Sequence, residues 1–146
     1  MLYVYTSAAW NYLPKAQILA DSVRKYLPGS KIVLALPDIL TDEVDIKKYN
    51  FDEVIPLDSD LCPIENLNAW TFSHTIVELA TAIKPYVLKK LLDRPDCEAV
   101  LYFDPDIELF SELDDLLEHF KEASILLTPH ITSPEKKEEK GVVADG

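Results

Sequence analysis

Glycine is scarce in this chain: three in 146 residues, at positions 29, 141 and 146. None stands in the segment after the first apolar stretch, Leu2 to Thr6, so the glycine-rich loop that cradles phosphates in many nucleotide-binding folds is absent there. Cysteine is scarce too. Cys62 and Cys97 stand alone, with neither metal-ligand spacing nor a redox motif, and read as reduced, inert, partly buried thiols. Positive charge is in deficit, with 14 Lys and Arg against 26 Asp and Glu, a net charge of −12. Nucleic-acid binding calls for a basic stripe, so no nucleic-acid partner is expected; the plain role of the acidic surplus is solubility. No apolar run reaches membrane-spanning length, so no membrane span is expected. The opening Met1-Leu2-Tyr3-Val4-Tyr5 is too short for a signal peptide and lacks a basic leader, which makes the expected location cytoplasmic. Internal repeats and long linkers are missing as well.

What remains is an ordinary globular composition, long enough for one domain with a real core. Leu2 to Thr6 reads as a first strand. From Pro14 to Tyr26, Ala16, Leu19, Ala20 and Val23 recur at helical spacing, proline sits in the first turn, and Pro28-Gly29 ends the helix. The near-continuous apolar run Lys31 to Leu36 suits a strand buried on both faces of a parallel sheet. Thr41 is placed to cap a short acidic helix through Tyr49. Glu53 to Leu57 reads as a third strand, 58–70 as a loop, 73–92 as a helical region interrupted at Pro85, and the segment from Ala99 as a fourth strand. Leu113 to Phe120 reads as a helix and Ser124 to Thr128 as a fifth strand. Strands alternating with helices predict an α/β fold, Rossmann-like, with a mostly parallel central sheet flanked by helices. The expected organisation is one domain over 1–134 and a mobile charged tail over 135–146, where "EKKEEKGVVADG" has no periodicity.

The chemistry concentrates in "AVLYFDPDIELF", Ala99 to Phe110. Two carboxylates, Asp104 and Asp106, follow a buried strand. Pro105 between them has a fixed φ and no N–H, so it ends regular pairing and makes a rigid turn. Carboxylates held close together repel unless something positive lies between them. A divalent cation, Mn²⁺ or Mg²⁺, takes oxygen ligands, and Mg²⁺ draws most of them from water and substrate phosphates rather than from protein. A short acidic turn with Asp106 merely solvated is the competing structural account. Position argues for the site: in open α/β sheets ligands bind beyond the carboxyl ends of strands where strand order reverses. No lysine is expected near the turn to take the cation's place.

Two stretches carry a resemblance. "YTSAAWNYLPKAQILADSVRKYLPGSKIVLALPD" and "ELATAIKPYVLKKLLDRPDCEAVLYFDPDIELFSELDDLL" resemble the opening and central regions of nucleotide-sugar glycosyltransferases with the A-type fold, in the glycogenin and bacterial galactosyltransferase-like group. The resemblance implies a metal-dependent transferase acting on a nucleotide-diphosphate sugar, a UDP-sugar foremost, with a carbohydrate or lipid-linked acceptor. It implies that Asp104 and Asp106 bind the metal, that Thr6, Ser7 and Asn11 lie in the loop that cradles base and ribose, and that Lys84 helps to hold the donor. The loop departs from the pattern at Ala8-Ala9-Trp10, where relatives often carry acidic or polar residues. The family's domain also continues further, supplying acceptor contacts and another metal ligand, often His. The chain is therefore expected to represent the N-terminal, donor-binding part, and either self-association as a homo-oligomer or a longer natural protein is expected.

Two alternatives stay open. A haloacid-dehalogenase-like phosphohydrolase also places Asp-x-Asp after an apolar strand, with the first Asp as nucleophile. There the motif usually ends the first strand and is followed two positions on by Thr or Val; here it ends the fourth, and Glu108 stands in that place. A truncated domain that binds nucleotide without turnover is the other. Among remaining candidates, His130 reads as a packed loop histidine, His119 as a surface residue, His74 as an ordinary helix-start residue, Glu108 as solvent-facing, and Trp70 and Phe72 as residues closing the core. Lys84 on its own reads as a solvated lysine at a helix start.

Overall fold

Apolar runs that cannot alternate inside-out become the middle of a sheet. The structure, a computed structural model, describes residues 1–38, 46–129 and 133. Leu2–Ser7 (β1), Lys31–Leu36 (β2), Glu53–Pro56 (β3) and Ala99–Tyr102 (β4) form a four-stranded sheet in the order β3-β2-β1-β4. Every pairing is parallel. β2 is covered on both faces, and Ile32 through Leu36 are buried throughout. The chain forms two compact units, Met1–Leu113 and Asp114–Gly146, and the sheet belongs to the first.

The predicted α/β architecture with a parallel sheet is present, and the handedness of its crossovers arranges the layers. From β1 the chain passes through α1 (Leu13–Tyr26) to β2 on one side; from β3 it returns through α2 (Leu67–Phe72), α3 (Ile76–Ala82) and α4 (Lys84–Leu92) to β4 on the other side of β1. Right-handed crossovers in opposite directions put α1 and α4 on opposite faces. Tyr3, Tyr5, Val33, Ala35 and Ile55 accordingly pack with Ile83, Val87 and Leu91. The alternate residues Val4, Thr6, Ile32 and Leu34 point to the other face, the side on which α1 buries Ala16, Leu19, Ala20 and Val23.

Local sequence explains the helix ends. Gly29, just beyond α1, has φ +89°, a conformation that glycine adopts without a steric penalty. Thr75 and Glu78 form a reciprocal capping box at the start of α3. The expected helical region over 73–92 is two helices, because Pro85 cannot donate a backbone hydrogen bond and instead occupies the first turn of α4.

Three expectations need correction. The loop expected over 58–70 gives way at Leu67 to α2, capped by the Asn66 side chain, which accepts from the Ala69 N–H. Phe72, expected to close the core, is 93% exposed at the end of that short helix. In the second unit, α5 (Asp114–His119) forms where a helix was expected, but the stretch expected as a fifth strand has no regular structure, and Ile125 and Leu127 are exposed. A strand exists only where its N–H and C=O groups find a ladder partner, and apolar composition alone does not supply one. The helix start expected at Thr41, the loop at His130 and the tail over 135–146 lie outside the described residues; Ile46–Tyr49 forms a 3₁₀ turn. Among the described residues no helix is long and apolar enough to cross a membrane.

Candidate functional site

All four strands present their carboxyl ends on one side, and strand order reverses between β1 and β4. β1 leads through α1 to β2 on one side of it, whereas β4 joins on its other side, and a crevice opens beyond the carboxyl ends of such a pair. A cleft of about 430 Å³ lies there. Its walls are the loop after β1 (Ser7 to Ala9, Asn11 and Tyr12), the exposed side of α3 (Ile76, Val77, Ala80, Thr81), Lys84 at the start of α4, and the end of β4 (Tyr102, Asp104, Pro105, Asp106).

Five of the six residues singled out from the sequence line this cleft: Ser7, Asn11, Lys84, Asp104 and Asp106. Thr6 does not. It lies on the face of β1 opposite Ser7, 1% exposed, and its Oγ1 has no hydrogen-bond partner among the described residues. Strand alternation is the reason: a residue next to a cleft-lining position points away from the cleft. Ser7 Oγ donates to the Ala80 carbonyl at 2.6 Å and so ties β1 to α3. Asn11 is exposed in the 3₁₀ turn Trp10–Tyr12, and the Trp10 N–H donates to Asp38 Oδ2 at 2.8 Å, pinning the loop after β1 to the exit of β2.

The expectation that no lysine stands by the two aspartates is overturned. Lys84 Nζ lies 3.2 Å from Asp104 Oδ1 and 4.4 Å from the centroid of the Tyr102 ring. Sequence distance hid this pairing, because α4 crosses back over the sheet before β4 begins. The Tyr102 hydroxyl donates to the same Asp104 oxygen. Burial first, and then the bond to Asp104, hold the Tyr102 phenol well above its ordinary pKa, so it is a neutral donor. Its ring tilts against Tyr5 at 5.0 Å and 56°. Burial pushes Tyr5 up to about 12, and Tyr5 donates to the Lys84 carbonyl at 3.3 Å. On the opposite wall Lys15 donates to the Tyr12 hydroxyl at 2.9 Å. That bond is the first cause of its raised pKa, and the Asp106 carboxylate is the last. Asp106 itself is exposed and makes no hydrogen bond or ion pair among the described residues.

The donor set suits a hard divalent cation. No group of three or more His, Cys, Asp and Glu side chains is assembled for a metal among the described residues. Two exposed carboxylates on one proline-braced turn match a cation that completes its shell with phosphate oxygens and water. Tyr102 escaped notice in the sequence, although it stands at the end of the apolar run that leads into Asp104. The other candidates are structural. His74 packs on Trp70 at 4.6 Å and meets its carbonyl at 2.6 Å. Glu108 and His119 are exposed. Cys62 is buried, which pushes its thiol up to about 11, and both cysteines are free.

Comparison with protein-family models and with curated proteins finds no match. Among solved structures, the crystal structure of the galactosyltransferase LgtC in complex with donor and acceptor sugar analogues is similar, with 20% sequence identity and a TM-score of 0.45. The similarity covers 80% of this chain and 41% of that one, so the chain spans less than half the length of the galactosyltransferase.

Proposed function

We propose that the chain is the donor-binding part of a metal-dependent glycosyltransferase, taking a nucleotide-diphosphate sugar, a UDP-sugar foremost, and serving a carbohydrate or lipid-linked acceptor. One observation carries this reading. The Asp104-Pro105-Asp106 turn and the loop after β1 line a single cleft at the reversal of strand order. That is where open α/β sheets bind nucleotides. The resemblance of the two sequence stretches to the A-type transferases supports the same assignment.

In this reading Asp104 and Asp106 hold Mn²⁺ or Mg²⁺. A divalent cation at this place supplies Lewis-acid stabilisation of a departing nucleotide diphosphate. Lys84 brings a second positive charge to the phosphates from its place beside Asp104. Asn11 offers an exposed amide to the nucleoside. The backbone around Ser7 is fixed by the bond to Ala80, so the loop meets the ligand preformed. Calorimetry against a panel of nucleoside diphosphates, with Mn²⁺ and with chelator, tests the proposal. Binding that needs the cation is expected; equal affinity with and without it would sink the metal role.

A second reading has an observation of its own. Lys84 already neutralises Asp104, which fits a domain that holds nucleotide without turning it over. Release of sugar or nucleotide in a transfer assay separates the two.

A further inference from the structure

We infer that Tyr102 is a positioning residue of this site: its hydroxyl fixes the orientation in which Asp104 meets a divalent cation bridged to a diphosphate. The inference rests on the donor-site reading above and adds to it a residue that does not touch the ligand.

Four residues close into a ring. The Tyr102 hydroxyl donates to Asp104 Oδ1. Lys84 Nζ reaches the same oxygen at 3.2 Å and lies over the Tyr102 ring at 4.4 Å. Tyr5 anchors both partners, its ring on Tyr102 at 5.0 Å and its hydroxyl on the Lys84 carbonyl at 3.3 Å. Tyr5 and Tyr102 are register partners in the β1–β4 ladder, so the phenol's position follows from the sheet itself. An exposed carboxylate on a turn would otherwise sample several rotamers, and ordering it on binding costs free energy.

The two groups on Oδ1 respond differently to a cation. Lys84 is an ammonium, and a divalent ion at Asp104 repels it toward the phosphates. Tyr102 is a neutral donor. A carboxylate has lone pairs enough to accept its hydrogen bond and a metal at once. Once the site is loaded, the Tyr102 bond still holds Asp104 Oδ1, and partners that orient a metal ligand typically matter by about 10- to 100-fold in metal affinity.

The test is Tyr102→Phe, which keeps the ring on Tyr5 and under Lys84 and removes only the hydroxyl. Uridine diphosphate is titrated calorimetrically in Mn²⁺ and in chelator, and the electron paramagnetic resonance spectrum of the bound Mn²⁺ is recorded. The expected result is a loss of about 10-fold in affinity with Mn²⁺, no change in chelator, and an altered Mn²⁺ line shape. Tyr3→Phe is the control, because Tyr3 makes the same kind of phenol–carboxylate bond to Asp96, at 3.1 Å, at the other end of the sheet. It should change neither readout. The ratio of the Mn²⁺ and chelator affinities is independent of the fraction folded, so it stays valid if the variant is destabilised. If wild type binds with Mn²⁺ and Tyr102→Phe keeps the same ratio, the inference falls and the donor-site reading stands. A wild type with no cation-dependent binding overturns both.

Discussion

The two ends of the sheet treat charge in opposite ways. At the amino end Arg94 forms two hydrogen bonds to Glu53, at 2.8 and 2.7 Å, and its guanidinium lies 4.9 Å from the Tyr3 ring centroid. Tyr3 in turn donates to Asp96. The bond to Glu53 is the leading reason that the Arg94 pKa is raised. These charges face one another, and nothing in the arrangement asks for a further partner. At the carboxyl end the charges border a cleft. Asp104 is shared between an ammonium and a phenol, and Asp106 has no hydrogen-bonding or ion-pair partner among the described residues. A paired cluster closes the fold, whereas carboxylates that border a cavity are candidates for binding a ligand. The amino end should therefore answer to mutation in stability and the carboxyl end in binding.

The largest effect expected is at the carboxyl end. Under the proposed reading, Asp104→Asn should weaken Mn²⁺-dependent nucleoside diphosphate binding by more than about 100-fold, since it takes the charge from a proposed direct ligand where an orienting partner alone is worth about 10- to 100-fold. Its stability should hardly change. The Lys84 and Asp104 side chains are 28% and 58% exposed, and a pair that wet contributes at most about 1 kcal/mol. Calorimetry and urea denaturation on one preparation read both quantities. A large loss of stability with binding intact would reverse the roles assigned to the two ends.

Arg94→Met is the mirror experiment. It removes a bidentate pair whose side chains are 24% and 39% exposed. Hydrogen bonds to charged groups contribute about 1.5–3 kcal/mol each, and discounting for this exposure leaves about 2 kcal/mol for the pair. The urea midpoint should fall accordingly while nucleotide affinity stays at its wild-type value. A parallel fall in affinity would show that the two ends are coupled through the sheet.

What the sequence made legible follows the same division. Apolar runs and helical spacing gave the four strands and α1, because burial on both faces leaves a one-dimensional pattern. The Asp-Pro-Asp turn stood out because proline acts locally. The Lys84–Asp104 pair was invisible, since twenty residues and a helix-to-strand crossover separate its members and only the tertiary fold brings them together. Thr6 was legible in principle: alternation along a strand already set it against Ser7. Ser124 to Thr128 failed for the opposite reason. A strand-like composition is a local property, but a strand is a pairing.

A subtler change sharpens the comparison without removing any charge. Pro105→Gly keeps both carboxylates and relaxes the turn that carries them. Glycine in place of proline raises the entropy of the unfolded chain and should cost about 0.4–1 kcal/mol of stability. Affinity with Mn²⁺ should weaken several-fold, about 1 kcal/mol, because the freed turn must be ordered on binding. Unchanged affinity would show that the proline merely ends the strand and that the carboxylates organise themselves.

The smallest effect expected separates exposure from openness. Glu78, on the helix that forms one wall of the cleft, is exposed, like Asp106. Unlike Asp106, it is engaged: its Oε2 accepts from the Thr75 N–H at 2.7 Å and from the Thr75 hydroxyl at 2.9 Å. Those bonds, the backbone one first, lower its pKa in the folded protein. In the unfolded chain the carboxyl titrates near about 4.3. Between that value and the lower folded one, the unfolded state binds more protons, so stability falls as pH falls. The contribution is therefore complete above the unfolded pKa and lost as pH drops through the folded pKa. Glu78→Gln preserves a capping side chain but cannot titrate. Wild type should melt slightly above Glu78→Gln at pH 7, and the gap between the two melting temperatures should narrow as pH falls below the unfolded value. Nucleotide affinity at pH 7 should be the same in both. A weaker affinity in Glu78→Gln would mean that the α3 cap does more than hold its helix, and that exposure to solvent, rather than lack of a partner, marks the charges that serve the ligand.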